Sequence, residues 1–563
     1  MINQNQLAPT YQEFPHLLAG SVGLKKWDFK VFNVNPPLPQ IIAALPIVLK
    51  KKESIYVPPK VFGHRIEHEA VTINIYNNKL YSIKDLRESR LFLSICFFLV
   101  ISYVFYFFFT SNFSPSIALL LWITCPYFLA FAPLVSPDIP SASAGLLAVY
   151  FFHRWLRRSE LLEAVIAGIV LGLAELTKFT LLIFYPLFVI LWIIYHLPDL
   201  FSVVKNGYLK QSGHIIVIFV TSLFIINMGY FFENTGKQLG TFKFQTTLLT
   251  GHENLKDVPI DGGNRFKNSI LSKFPVPLPA NFIQGIDTQR LDFERGLQSY
   301  LRGEWSDHGW WYYYLYALLL KLPLGTILLF VLAVFCTIFV REINAPWRDE
   351  IVIILPGIVL LFFVSSQTGF SVHSRYVIPA LPFFFIWVSK LSKLFLLRKR
   401  ILSIIVTILL VWSTLSSLLI YPHSISYFNE LSTLIPTPSE SYFLREPRGS
   451  SFFVTLINAG ARNGGRHLLD SNIDWGQDLF YLEKWCKQHP EVNEIHVRLS
   501  GSYPVNLTDI PVSKEIFNEN NLNGWFAISI NYLYVQDKMY QQFRNRQPID
   551  RIGYSIYIYY IPE

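Results

Sequence analysis

Residues 115–156 read PSIALLLWITCPYFLAFAP (115–133), LVSPD (134–138) and IPSASAGLLAVYFFHRWL (139–156), two apolar runs joined by a short turn that carries Asp138. Each run is close to the roughly 20 residues a helix needs to cross about 30 Å of hydrocarbon. The same pattern extends in both directions. Ten apolar spans are predicted, at 89–110, 115–133, 139–156, 160–177, 179–197, 214–232, 323–341, 350–367, 376–392 and 401–421. The 563 residues are 52% hydrophobic and only 15% charged, with 16% aromatics, a balance outside that of soluble domains. The predicted fold class is therefore mainly α, a polytopic membrane helical bundle.

The net charge of +9 does not mark a nucleic-acid binder, because the basic residues are spread over short connections between apolar runs. Connections on one side hold twelve of them: Arg154, Arg157 and Arg158, Lys205 and Lys210, Arg341 and Arg348, and Lys390, Lys393, Arg398, Lys399 and Arg400. The short turns of the other side hold only Lys178 and Arg375. Basic loops stay cytoplasmic, so Lys178, Arg375 and both chain ends are expected on the extracytoplasmic face of the cell inner membrane. An external start at 1–88 needs a translocating helix, yet Met1–Thr10 is polar, so a further helix before Met1 is expected. Cys96, Cys125, Cys336 and Cys486 have no disulfide or zinc spacing. No repeat of fixed period supports a solenoid or an inverted-repeat transporter.

Three polar regions share the outer face under this topology: 1–88, the loop 233–322 and the tail 422–563. The bundle then occupies 89–421, with that loop inserted. Pro39 to Leu49 is apolar but too short to span, as suits an interfacial helix. Trp310-Trp311-Tyr312-Tyr313-Tyr314 fits an aromatic belt. In the tail, Gly476 to His489 reads as a helix, while Trp525 to Asn531 and Tyr554 to Ile561 alternate like strands, predicting a small C-terminal extracytoplasmic α/β domain.

Asp138, Lys178, His373 and Arg375 gather at one rim of the predicted bundle. Cations at headgroup level hold an anion that cannot leave the bilayer, which points to a lipid-borne phosphate. The plainer alternatives are that Lys178 and Arg375 snorkel to headgroups and that Asp138 caps the helix it opens. Asp470, Asp474 and Asp478 recur every four residues, but Ser471-Asn472 and Trp475-Gly476 favour a turn over a metal cluster.

The ordered landmarks are Gln12-Glu13 with His16 and Ala19-Gly20, Asn35-Pro36-Pro37-Leu38, Ser136-Pro137-Asp138, Gly172 to Lys178, and His373-Ser374-Arg375-Tyr376. Tyr421-Pro422-His423, Tyr427 to Glu430 and Asp470 to Leu479 follow. In this order the chain resembles the polyprenyl-phosphate-dependent C-type membrane glycosyltransferases, the dolichyl-phosphate-mannose protein mannosyltransferase-like family that includes aminoarabinose transferases. That family has an Asp-Glu pair where this chain has Gln12-Glu13, and an initial helix absent here. Gln12 cannot take a proton.

The resemblance implies an integral-membrane enzyme moving a sugar, with inversion, from an undecaprenyl-type phosphate to a cell-envelope acceptor: a protein hydroxyl, a lipid or a glycan. Glu13 and Asp138 would face the sugar beside Gln12, while Lys178, His373 and Arg375 would hold the phosphate. His16, His423 and Asn429 would order the substrate face. Membrane lipids are the other expected partners. No cofactor is firmly predicted, although the family leaves room for a divalent cation. A lipid or sugar transporter or flippase, a non-catalytic scaffold and a degenerate transferase are the competing readings; a flippase would carry ionisable groups that meet at mid-membrane, whereas these spans hold few, Glu175, one turn from the rim, being the main exception.

Overall fold

The computed structural model describes residues 6–50, 56–58, 65–76, 82–107, 114–200, 208–437, 459–513, 522–535 and 540–562. The polar start at 1–5 and residues 108–110 of the first predicted span lie outside them. The principal helices are α1 Glu13–Lys26, α2 Leu38–Val48, α3 Ile66–Tyr76, α4 Ile83–Phe107, α5 Pro115–Thr124, α6 Pro126–Phe131, α7 Asp138–Arg158 and α8 Leu161–Glu175. They continue with α9 Phe184–Leu200, α10 Tyr208–Gly229, α11 Ala280–Arg295, α12 Tyr313–Lys321, α13 Leu324–Phe339, α14 Trp347–Ser365, α15 Leu381–Ser389, α16 Arg400–Ile420 and α17 Leu479–Gln488.

Helices coincide with all ten predicted spans, but among the described residues only five are long and apolar enough to cross a membrane alone, or six if α12 and α13 form one bent span. Proline accounts for two interruptions. Cys125 is extended (ψ 120°) before Pro126 and splits α5 from α6, because a residue preceding proline is pushed out of the helical region. Leu322 is likewise extended (ψ 143°) before Pro323, and α12 and α13 diverge by 111° there. Helix α8 falls short at 15 residues and packs on α10 through Gly168 and Gly172, where a Cβ would strike the carbonyls of Ile218 and Ser222. Small residues let helix backbones approach this closely.

The predicted interfacial helix is α2, which lies against α1 with Ala43, Ala44 and Ile47 buried. The main apolar cluster takes Phe14 and Leu17 from the first polar segment, Tyr300 and Leu301 from the loop, and Ile473 and Trp475 from the tail, together with the bundle helices. The predicted tail elements form α17 and a four-stranded sheet of β3 Ile495–Arg498, β4 Gly524–Ser529, β5 Asp550–Ile552 and β6 Ile556–Ile561. A two-stranded ribbon, β1 Ser299–Leu301 and β2 Glu304–Ser306, precedes it. The sheet order is β3-β4-β6-β5, with β3 parallel to β4 and the other pairs antiparallel. Strand alternation divides its side chains: Phe526, Ile528, Tyr557 and Tyr559 join the main cluster, whereas Ala527, Ile556 and Ile558 pack with α17. One sheet face is thereby fastened to the bundle.

The aromatic run departs from the belt expectation. Trp311 is exposed, but Tyr313 and Tyr314 open α12 facing inward and are fully buried. Their hydroxyls donate to Val372 O (2.8 Å) and Phe370 O (3.4 Å).

Candidate active site

Asp138 opens α7 directly after Pro137 and makes no capping hydrogen bond, which corrects the helix-cap reading. Its carboxylate instead meets two cations. Lys178 Nζ donates to Oδ1 at 2.8 Å, and Arg375 Nε lies 3.6 Å from Oδ2. Lys178 is itself extended (ψ 133°), between the end of α8 and the 3₁₀ turn Phe179–Ile183, and Arg375 lies in the 3₁₀ turn Ser374–Ala380. All three are buried, so neither cation snorkels. Burial pushes the Asp138 acid toward neutrality, but Lys178 and Arg375 outweigh it and hold the group below its ordinary range.

Aromatic faces orient the cations further. Tyr376 lies under Lys178 at 4.7 Å and Trp475 under Arg375 at 3.9 Å. Gln12 accepts from Arg375 Nη2 at 3.1 Å. Asp138 Oδ2 and Arg375 Nη1 are buried without any hydrogen-bond partner. Such orphan groups are rare and call for a ligand or water.

Gln12, Asp138, Lys178, Arg375 and Tyr376 line one side of a cavity of about 350 Å³. Helix α11 supplies Gln289, Asp292, Phe293 and Arg295 opposite, and Arg65 reaches in, paired to Asp292 at 2.8 Å. An apolar groove of about 210 Å³ adjoins the cavity and shares Lys178, Gln289, Phe293 and Tyr376 with it. Leu182, Ile286, Phe363 and Val364 are among its apolar lining, with Thr180, Arg290 and Gln367 as its polar members.

Several expected residues stand elsewhere. Glu13 does not line the cavity: it is fully buried, and Arg90 Nε and Nη2, the Thr10 N–H and hydroxyl, and the Val135 N–H all donate to it. Burial pushes its acid up, but Arg90 prevails and keeps it ionised. A carboxylate so saturated has no lone pair for a substrate proton. His16 is buried on α1, edge-on to Phe32 at 4.7 Å, with neither ring nitrogen bonded. Burial brings it down to about 3, with Asp138 pulling the other way, so it is a neutral imidazole.

His423 bonds Asp478 (3.1 Å) in the tail domain, and Asn429 donates to Leu319 O and Leu322 O at the α12–α13 break. Both are ordering contacts away from the cavity. His373 Nδ1 meets Asp470 Oδ1 at 3.0 Å and Ser471 Oγ at 2.8 Å. Glu175, the main ionisable exception within the spans, is fully buried with both oxygens unbonded.

The sequence reading passed over Arg90 because it falls at the start of an apolar span. For Ser471-Asn472 the local sequence signals only a capped turn. Asn472 in fact accepts from the Ser374 N–H (3.0 Å) and donates to Val372 O (2.9 Å), gripping the backbone on both sides of His373. Among the described residues, no group of three His, Cys, Asp or Glu side chains is gathered as a metal site.

Against known families, residues 81–226 match the model for dolichyl-phosphate-mannose-protein mannosyltransferases. This is the family that the ordered motifs resemble, and the matched stretch contains both Asp138 and Lys178. No curated protein matches the chain. The crystal structure of ArnT from Cupriavidus metallidurans bound to undecaprenyl phosphate aligns over 99% of this chain and 95% of its own, at 10% identity and a TM-score of 0.43.

Proposed function

We propose that the chain is an integral-membrane glycosyltransferase that takes a sugar from a polyprenyl phosphate and passes it, with inversion, to a cell-envelope acceptor at the extracytoplasmic face. The observation that carries the reading is a buried cation pair in a polar cavity, with Lys178 also lining the adjoining apolar groove. A polyprenyl phosphate has this division of chemistry, a charged head on an apolar tail, and the family match supports the same substrate class.

The transfer needs a held donor, an acceptor in line behind the anomeric carbon, and neutralisation of the charge that collects on the departing phosphate. Arg375 offers the unbonded Nη1 for that charge, and Lys178 stands beside it on the far side of Asp138. Asp138 keeps the two cations apart and fixes their direction before substrate arrives. Its free Oδ2 is available to a sugar hydroxyl. The cavity wall of Gln289, Asp292 and Arg295 is polar enough for sugar and acceptor.

The test is cleavage of radiolabelled dolichyl-phosphate mannose and of an undecaprenyl-phosphate sugar by the purified full chain in lipid nanodiscs. Release of polyprenyl phosphate with sugar on a hydroxyl product is expected. Movement of intact donor between leaflets without cleavage would establish the flippase reading instead.

A further inference from the structure

A second acid–base pair stands directly behind the cavity lining, against Phe370 and Tyr376. His373 Nδ1 is shared between Asp470 Oδ1 (3.0 Å) and Ser471 Oγ (2.8 Å). The ring is edge-on to Phe370 (5.3 Å) and Tyr376 (5.7 Å), two residues that line the cavity, and it precedes Arg375 by two positions. Its backbone is fixed by the Asn472 amide. Asp470 holds a left-handed backbone (φ 58°), kept there by its N–H bond to Asn531 Oδ1 at 2.9 Å. Non-glycine residues are uncommon in that region, and such backbone collects at functional sites.

We propose that His373, oriented by Asp470, is the base that takes the proton of an acceptor hydroxyl. The proposal rests on the transferase reading above and deepens it by naming the acceptor class. The other groups are less suited: Gln12 and Gln289 have no ionisable group, Glu13 is saturated, Asp292 is paired with Arg65, and Asp138, although its Oδ2 accepts no hydrogen bond, is held below its ordinary range by Lys178 and Arg375. With Nδ1–H donated to Asp470, the lone pair of His373 is on Nε2, the arrangement by which a carboxylate fixes the useful tautomer of a base.

The acceptor oxygen bonds to the anomeric carbon while its proton moves to Nε2. The bond from that carbon to the phosphate oxygen breaks, and its electron pair stays on the phosphate. The proton then passes from Nε2 to water, while Nδ1–H stays on Asp470 and the same tautomer is restored. The charged groups facing the ring are Asp470, Asp138 and Arg375; burial keeps the imidazole below its ordinary value and Arg375 adds to this, while the two carboxylates oppose it. The ring is thus neutral before the reaction. An acceptor already ionised, such as a phosphate, would have no use for it.

The test uses the full chain in nanodiscs with labelled dolichyl-phosphate mannose and a serine- and threonine-rich peptide, from about pH 5.5 to about 9. Asp470→Asn is isosteric at a half-exposed side chain, so folding is retained. It should lower kcat by about 10²- to 10⁴-fold, leave the donor KM unchanged and move the acidic limb of the pH profile. His373→Asn should lose as much, and the double variant no more than either. Turnover of Asp470→Asn within about threefold of the unaltered chain at every pH would overturn the dyad alone, as would a raised donor KM at constant kcat. A chain that cleaves no donor fails the transferase reading itself. Nitrogen-15 histidine spectra decide independently of turnover: a neutral His373 with the proton on Nδ1, lost in Asp470→Asn, is expected, and an imidazolium near pH 7.5 refutes the proposal.

Discussion

Glu13–Arg90 and Asp138–Lys178–Arg375 are two buried ion sets supplied by neighbouring parts of the chain, and they are built in opposite ways. Every oxygen of Glu13 is bonded, and Arg90 spends its remaining donors on Leu7 O (2.9 Å) and Ala8 O (3.0 Å). The pair ties the start of the chain to α4 and to the turn before Asp138. In the second set, Asp138 Oδ2 and Arg375 Nη1 have no hydrogen-bond partner, and their residues line a cavity. Saturation makes a strut, whereas unspent bonding capacity beside a cavity makes a site. Adjacent Gln12 and Glu13 divide between the two, one on the cavity and one on the strut.

Removing one member of each set should break them differently. Of these two sets, the largest loss of catalysis is expected at Arg375: Arg375→Met removes the fork proposed to face the phosphate and should lower kcat/KM for the polyprenyl-phosphate donor by about 10²- to 10³-fold, measured by donor cleavage. Asp138→Asn should follow with a loss of about 10²-fold or more, since Lys178 and Arg375 lose their common orienting charge. Unchanged turnover in Asp138→Asn would remove that residue from the site. Arg90→Met should act on stability, by about 3–5 kcal/mol, because it leaves the Glu13 carboxylate buried and unpaired. The readout is denaturation of the detergent-solubilised chain, with turnover per folded molecule retained.

The smallest effect concerns the tail. Burial raises Asp474 to about 7, against hydrogen bonds from Ser529 and the Gly476 N–H, and the charge of Asp478 adds to the rise. The folded chain therefore holds a proton there that the unfolded chain releases near pH 4. The stabilisation is complete below that value and is lost as pH rises through about 7. The midpoint of thermal unfolding should fall between about pH 5 and about pH 8, and Asp474→Asn should flatten the fall.

The bundle, the short apolar helix α2 and the tail strands were legible because hydrophobic period and length are local properties. So was the convergence of Asp138, Lys178 and Arg375, since all three fall on turns of one predicted side. Partners of these residues were not legible. Arg90 meets Glu13 across 77 positions and Asn472 meets Ser374 across 98, and nothing in the local pattern of either end announces the other. Tyr313 and Tyr314 misled for a related reason: a Trp-Tyr run has the same composition in an interfacial belt and in a buried turn, and only the start of α12 decides which way each ring faces. The α11 wall was hidden because its polar residues lie in a loop whose fold is set by long-range contacts, among them Asp287 with the Gln245 N–H (2.8 Å) and Thr246 hydroxyl (2.7 Å).

The central claim is that the unspent cations of the Asp138 set receive the donor's phosphate. The most direct measurement is an electron cryo-microscopy structure of the full chain in nanodiscs with dolichyl phosphate. The account predicts phosphate oxygens within about 3 Å of Arg375 Nη1 and Lys178 Nζ, with the prenyl chain along the Phe363–Val364 groove. A phosphate seated elsewhere, with the Asp138 cavity holding only water, would contradict it.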